Sequence, residues 1–186
     1  MEQKAVEINS INDVILDNTG ISSAYFSLKE SIAIDNNVIK ELKAKSLKNK
    51  MDIRLCLHVD SKNDFHNMII VQHRDHYYPP HKHPFKAECY HLIEGELGAI
   101  HYDELGNITK KCRLGNDDNF IYRIAPNEYH VVFPISEMVV YHESKPGPFT
   151  RSSDFIEPDW SPNLSNSEEI ERYTKKNHRL FAVSQT

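Results

Sequence analysis

A chain of 186 residues with 39% apolar residues has room for one folded domain with peripheral additions, and its formal net charge of -5 disfavours nucleic acid as a partner. No apolar run approaches the ~20 residues that a membrane-spanning helix needs, and the N-terminus lacks a basic-then-apolar signal pattern. Three cysteines without C-x-x-C spacing argue against a disulfide framework or a zinc ribbon. We therefore expect a cytoplasmic protein that contacts neither nucleic acid nor membrane.

Residues 1–50 are predicted to form an N-terminal extension. Short apolar stretches separated by Asn-rich breaks predict two or three short strands, with a turn at Asn18–Gly20. Asp35 is a suitable N-cap for a helix that continues to about Lys48, and the basic last turn of this helix suits its dipole.

Residues 51–150 alternate between apolar and polar side chains, which is the pattern of half-buried strands. The predicted strands are Ile53–His58, Asn67–Arg74, Tyr77–His83, Glu88–Ile93, Leu97–Tyr102, Lys111–Leu114, Phe120–Ile124, His130–Phe133 and Met138–Glu143. The breaks between them contain the residue types that turns favour. Many short strands without intervening helices predict an all-β fold, either an antiparallel β-sandwich or a jelly-roll barrel.

Residues 151–186 lose this alternation and are predicted to form a C-terminal tail packed on the barrel. Ser165 or Ser167 can cap a short helix that ends at about Lys176. Trp160 is the expected anchor of the tail, because it is a large aromatic residue in an otherwise polar segment.

Two histidines separated by one residue indicate a metal site within the barrel. On an extended strand His81 and His83 project to the same face, roughly 6–7 Å apart, and two such imidazoles are a suitable half of a metal site. Glu88 lies at an odd offset from His83, so a bend around Pro84 is needed to return its carboxylate to the same place. A fourth ligand must come from further along the chain, and His130 is the candidate.

These residues resemble the metal motifs of the cupin superfamily. The matching positions are His81, His83, Glu88 and Gly95 for the first motif, and Pro126 with His130 for the second. The second motif is one residue shorter here, and Asp75 stands where the first motif usually begins with Gly. The resemblance implies a cupin jelly-roll fold that binds one divalent metal ion per chain. Three imidazoles and one carboxylate suit Fe, Mn, Ni, Co or Zn.

A narrower resemblance, to the WbuC-type cupin-fold metalloproteins, covers residues 45–160. It rests on the segments Arg54–His58, Tyr78–His83, Tyr122–Pro126 and Tyr141–Phe149. Members of that group accompany surface-polysaccharide biosynthesis. The resemblance therefore implies that the ligand is a small carbohydrate or a nucleotide-sugar used in making O-antigen or capsule.

Three functional classes are compatible with such a site. The first is a metal-dependent enzyme of the isomerase or epimerase type. The second is an Fe(II)-dependent dioxygenase-type cupin, because four protein ligands leave open positions around an octahedral ion. The third is a non-catalytic module that binds metal and ligand. Turnover of a sugar nucleotide, uptake of O2, or saturable binding without product distinguishes these classes.

Further candidate residues lie on the predicted strands. Arg54 and His58 share one strand face; if it points into the barrel, Arg54 can hold an anionic group and His58 can transfer a proton. The alternative is an exposed edge strand. In the last strand, alternation places either His142 or Tyr141 with Glu143 inward. The catalytic candidates are His58 and His142, and the substrate-binding candidates are Arg54, Lys86, Tyr90 and Arg123.

Charge distribution and exposed edges give two further expectations. The segment from residue 40 to residue 86 carries ten basic and five acidic residues, so we expect an anionic ligand, the alternative being a solvated basic helix end. We also expect a homodimer, because cupin barrels expose sheet edges that the apolar N-terminal strands can cover across a two-fold axis.

Overall fold

The structure is a computed structural model that describes residues 3–10, 12–17, 22–115, 117 and 119–182. Within these residues the strands are β1 (Val14–Asp17), β2 (Ser23–Ser27), β3 (Ile53–Cys56), β4 (Phe65–His73), β5 (Glu88–Glu94), β6 (Leu97–Tyr102), β7 (Ile108–Leu114), β8 (Ile121–Ile124), β9 (Tyr129–Pro134) and β10 (Met138–Pro146). The helices are α1 (Asn36–Asn49), α2 (Arg151–Asp154) and α3 (Ser167–Arg179). The predicted turn at Asn18–Gly20 lies outside the described residues.

The strands form two sheets that pack face to face. The larger sheet has the order β1-β2-β3-β4-β10-β5-β8, and the smaller has the order β7-β6-β9. The paired strands run antiparallel except for β2 and β3, which run parallel. Side chains of both sheets meet in one core, where Met68 and Leu92 of the larger sheet join Leu97 and Val132 of the smaller. This is a jelly-roll β-sandwich, and the predicted fold class is confirmed.

Helix α1 covers the outer face of the larger sheet. It begins where predicted, because the Asp35 carboxylate accepts hydrogen bonds from the backbone N–H groups of Asn37 and Val38. It ends at Asn49, and its C-cap Lys50 adopts the left-handed conformation with φ 51°. Its buried Leu42 packs with residues of β3 and β4 in a second core. The opposite, inner face of these strands is therefore the one available for a ligand.

The C-terminal residues cover the outer face of the smaller sheet. Trp160 packs on Tyr102, with ring centroids 4.9 Å apart, and Phe181 packs on Phe133 at 5.7 Å. The N-cap of α3 is Asn166, whose side chain accepts from a backbone N–H of the first turn, so neither predicted serine is the cap. No helix of the described residues is long and apolar enough to span a membrane.

The predicted strand Tyr77–His83 is wrong. This segment makes single bridges at His81, opposite His130, and at Lys82, opposite Ile156. The segment contains Pro79 and Pro80, which have no N–H group to donate to a ladder. The two histidines therefore lie on an extended, proline-rich segment beside β9.

Candidate metal centre

Four side chains from three parts of the chain meet between the sheets. His81 and His83 lie on the proline-rich segment, Glu88 begins β5, and His130 lies on β9. The bridge between His81 and His130 has two backbone hydrogen bonds, of 2.9 and 2.8 Å. One ligand atom from each residue lies within 4.8 Å of the other three, and His83, Glu88 and His130 are at most 3% exposed. The group has the size and the donor types of a metal site.

Backbone carbonyl groups orient all three imidazoles. The Nδ1 atom of His81 lies 3.1 Å from the Pro79 carbonyl oxygen, and that of His130 lies 2.8 Å from the Glu128 carbonyl oxygen. The Nδ1 atom of His83 contacts the Asp154 carbonyl oxygen. Because a carbonyl only accepts, each Nδ1 donates a proton to it, and Nε2 is the ring nitrogen that faces the cluster. This arrangement prepares the Nε2 atoms for coordination.

The buried Nε2 atoms fit a cation. Those of His83 and His130 lie 2.7 and 3.3 Å from oxygens of Glu88, but neither nitrogen has a hydrogen-bond partner. Buried polar atoms normally have a partner. A divalent ion between these nitrogens and the carboxylate supplies the missing partner, so the residues present fit such an ion.

Glu88 is held in its charged form. Burial raises the pKa of its carboxyl group, but the ammonium of Lys145 and the contacts with His130 and His83 outweigh this effect and bring the pKa well below its usual range. Lys145 lies 2.9 Å from Glu88, and the Tyr90 hydroxyl donates a hydrogen bond of 2.5 Å to the other carboxylate oxygen. A charged carboxylate with both oxygens oriented in this way suits a metal ligand.

The beginning of the C-terminal tail, residues 150–156, lies over the cluster, and we refer to it as the strap. Phe155 stacks on His81 with ring centroids 4.1 Å apart. Ile156 exchanges two backbone hydrogen bonds with Lys82, and the Lys86 ammonium lies 2.8 Å from the Asp154 carboxylate. Sequence reasoning missed the strap, because its contacts connect positions about seventy residues apart and have no local signal.

A cavity of about 440 Å³ opens beside the cluster. Its lining includes Arg54 and Cys56 of β3 and also His58, two residues beyond the end of β3, so the strand face that carries Arg54 points inward. Strand β3 lies between β2 and β4 and is not an edge strand, which removes the alternative of an exposed edge. The volume lies within the range of small-molecule sites.

The structure brings some of the candidate residues to the cavity and leaves others away from it. Arg54, His58 and Tyr90 line it, whereas the Nε2 atom of His142 lies 3.2 Å from the Asn67 side chain, on the other face of the sheet. In β10 it is Tyr141 and Glu143 that line the cavity. Two candidates lie elsewhere: Lys86 binds the strap, and Arg123 is opposite Cys89 on the edge strand β8.

His58 is neutral at physiological pH. Burial and the neighbouring imidazole of His66, stacked on it at 4.2 Å between ring centroids, lower the pKa of His58 to about 4. The side chain is 7% exposed, and its Nδ1 contacts the backbone of Asn67. His58 can therefore accept a proton from a molecule in the cavity, but it does not carry a positive charge there.

Sequence comparison relates part of the chain to one family. Residues 34–114 match a family described as a domain of unknown function (DUF6016), and this match covers less than half of the chain. No curated protein sequence matches the chain.

Several solved structures are similar at low sequence identity. A Shewanella oneidensis protein is 12% identical over 52% of this chain, with a TM-score of 0.43, and the match spans 63% of that protein. An uncharacterised Klebsiella pneumoniae protein with a double-stranded β-helix domain is 19% identical, covering 58% of this chain and 80% of that one, with a TM-score of 0.43. The L-ribose isomerase of Geodermatophilus obscurus is 13% identical, and the match covers 52% of this chain and 58% of that one, with a TM-score of 0.42.

Proposed function

We propose that the chain is a metal-dependent cupin protein that binds one divalent ion through His81, His83, Glu88 and His130 and acts on a small molecule in the adjoining cavity. The observation that supports this proposal is the convergence of three carbonyl-anchored imidazoles on one buried, charged carboxylate. The Nε2 atoms of His83 and His130 are buried without a hydrogen-bond partner, and buried polar atoms normally have one.

The residues around the cluster have distinct roles in this proposal. When bound, the ion polarises a substrate oxygen. Lys145 and Tyr90 hold the Glu88 carboxylate in place and keep it charged. His58 faces the same cavity as a neutral imidazole and takes up or returns a proton at a substrate atom. The burial of His83, Glu88 and His130 keeps bulk water away from their donor atoms.

The substrate is a small carbohydrate or nucleotide-sugar, in the synthesis of a surface polysaccharide. The support for this class is the resemblance of the segments around Arg54, His81, Arg123 and Tyr141 to WbuC-type proteins. The four-residue donor set of the cluster suits Fe, Mn, Ni, Co and Zn equally.

Native metal analysis combined with a thermal-shift screen of sugar nucleotides tests the proposal. We expect about one metal ion per chain and a ligand-dependent rise in unfolding temperature, because a ligand that binds only the folded state stabilises it. Conversion of the ligand without O2 uptake supports the isomerase or epimerase class. Consumption of O2 supports an Fe(II) oxygenase, and saturable binding without product supports a binding module. Purification without any bound metal, and failure to bind added metal, contradicts the proposal.

A further inference from the structure

An arginine without an ionic partner lines the cavity. The Nε atom of Arg54 is buried and has no hydrogen bond, and the guanidinium forms no ion pair within the described residues. Gln72, on β4, likewise has a buried side-chain oxygen without a partner. Asp52 also lines the cavity, but its carboxylate accepts hydrogen bonds from the Tyr78 hydroxyl, at 3.0 Å, and the His73 backbone, at 3.1 Å. Buried polar atoms without partners indicate where a ligand supplies one.

Arg54 lies far from the metal cluster along the strands. Arg54 is in register with Ile70 of β4, and His66 is four residues from Ile70 on that strand, so the Cα atoms of Ile70 and His66 are about 13 Å apart. His58 stacks on His66, and His66 is in register with Lys145, whose ammonium contacts Glu88. His58 thus lies at the level of the cluster. Arg54 lies about 13 Å away from that level, measured along the direction of the strands.

From the level of Arg54 towards the cluster, the cavity is lined by apolar groups and by the carboxylate of Glu143. Glu143 is in register with Met68 and forms an ion pair of 3.0 Å with Lys145. The apolar lining there includes Cys56, Met68, Ile70 and the ring of Tyr141. A ligand that reaches both ends therefore needs a middle with an apolar surface, such as a ring that packs against Tyr141.

We propose that Arg54 and Gln72 form a subsite for the charged end of an elongated organic anion whose other end binds at the metal cluster. A guanidinium binds a carboxylate or a phosphate through two parallel hydrogen bonds. The amide of Gln72 is placed to bind a neighbouring hydroxyl. A phosphorylated or acidic sugar has this chemistry, with chelating oxygens at one end, a ring with apolar faces and an anion at the other end. This inference rests on the proposed function, whose substrate class it narrows.

Two series of hydroxamic acids of increasing chain length test the subsite by calorimetry on the metal-loaded protein. The hydroxamate group chelates the ion, and the far end of the chain carries either a carboxylate or a methyl group. At the matching length we expect the carboxylate to strengthen binding by about tenfold, since a charge-assisted hydrogen bond gives at least this much. Equal affinity of the two series at every length overturns the proposal.

Substitutions identify the arginine involved. In Arg54→Met the tenfold gain should disappear while the methyl-ended series binds as in wild type. Arg151→Met is the matched control, because Arg151 also lines the cavity but lies on the strap with Glu157 as its partner. A gain that persists in Arg54→Met, or disappears only in Arg151→Met, overturns the assignment. Arg54→Gln is the second variant, and the unfolding temperature of both variants shows that they fold.

The test separates this proposal from the proposed function. If no hydroxamate of either series binds, the metal centre is wrong. Hexylphosphonate, titrated into metal-free protein, then tests the subsite alone. Binding to wild type that is lost in Arg54→Met supports an anion subsite without a metal centre, and no binding to wild type overturns the subsite as well.

Discussion

Three histidines and a glutamate point their donor atoms at one place, but other residues fix their orientation. The carbonyl groups of Pro79, Glu128 and Asp154 each hold one Nδ1 atom. The orientation of the site therefore depends on backbone positions whose side-chain identity is secondary. Backbone anchors of this kind are invisible to motif reasoning, which sees only side-chain types.

The first prediction concerns metal content. Wild-type protein purified without chelator should carry about one ion per chain, and replacement of His81 and His83 by Ala should remove most of it. The double variant should also lose the metal-dependent stabilisation, which is about 2.7 kcal/mol when the free metal is at 100 times its Kd. His142→Ala is the matched control, since His142 lies on the other face of the sheet. Full occupancy in the double variant contradicts the assignment.

The second prediction concerns pH. The folded-state pKa of His58 is about 4, below the value of 6.5 for an unperturbed histidine, so between these pH values the unfolded chain binds more protons than the folded protein. The contribution of neutral His58 to the free energy of unfolding is therefore complete above pH 6.5 and is lost as the pH falls towards 4. Unfolding temperatures of the metal-free protein across this window should fall less steeply in His58→Phe than in wild type. Parallel curves would refute this contribution.

The sequence predicted those features of the helices and strands that depend only on neighbouring residues. Asp35 caps α1 as expected, because capping involves only neighbouring residues. Alternation predicted most of the strands, but it fixes which residues share a face and not which face is inside. Only the packing of the sheets decided between His142 and Tyr141 with Glu143.

Other features could not be predicted from local sequence. The spacing of His81 and His83 suggested a strand, yet the prolines beside them leave only isolated bridges. The strap meets the cluster through contacts between distant positions, for which one sequence gives no pattern. Likewise, the absence of a hydrogen-bond partner for the Nε atom of Arg54 depends on how several strands pack together.

The third prediction concerns the turn between β5 and β6. Gly95 has φ +85°, and a Cβ atom added there would lie 2.5 Å from the Met138 carbonyl oxygen. Gly95→Ala should therefore lower the free energy of unfolding by roughly 1–3 kcal/mol. Lys50 is a residue other than glycine that also has a positive φ, of 51°. Lys50→Gly should therefore raise the free energy of unfolding, because glycine adopts this conformation without strain. Chemical denaturation measures both, and a neutral Gly95→Ala contradicts the prediction.

For the whole molecule, the edge of the larger sheet is the place where a second copy can bind. Among the described residues, strand β1 stands at the end of the strand order of this sheet, and Ile15 and Leu16 on it are 57% and 47% exposed. Exposed apolar edge strands favour pairing with another chain.

The fourth prediction is therefore a homodimer formed through β1. Light scattering at micromolar concentration should give twice the mass of one chain, and Ile15→Lys should shift the protein to the monomer. Leu105→Lys, at an 82% exposed position in a turn, is the matched control and should leave the mass unchanged. A strictly monomeric wild type excludes this arrangement.

The strap connects the C-terminal part of the chain to the candidate metal centre through the contacts of Phe155 with His81 and of Asp154 with His83. If strap docking improves metal affinity, bound metal must favour the docked strap by the same factor. The fifth prediction follows. Phe155→Ala, which removes the ring stacked on His81, should weaken metal retention by about tenfold although Phe155 is not a ligand. Phe120→Ala, at a 60% exposed position, is the control.

The same linkage should be visible without any substitution. Limited proteolysis within residues 150–156 should slow when metal is added to the metal-free protein, because cleavage requires the strap to leave its bridge with Lys82 and its stack on His81. If the cleavage rate does not change when metal is added, metal binding and strap docking are independent equilibria. If they are linked, a protease that cuts the strap releases the ion, and ion availability sets the lifetime of the intact chain.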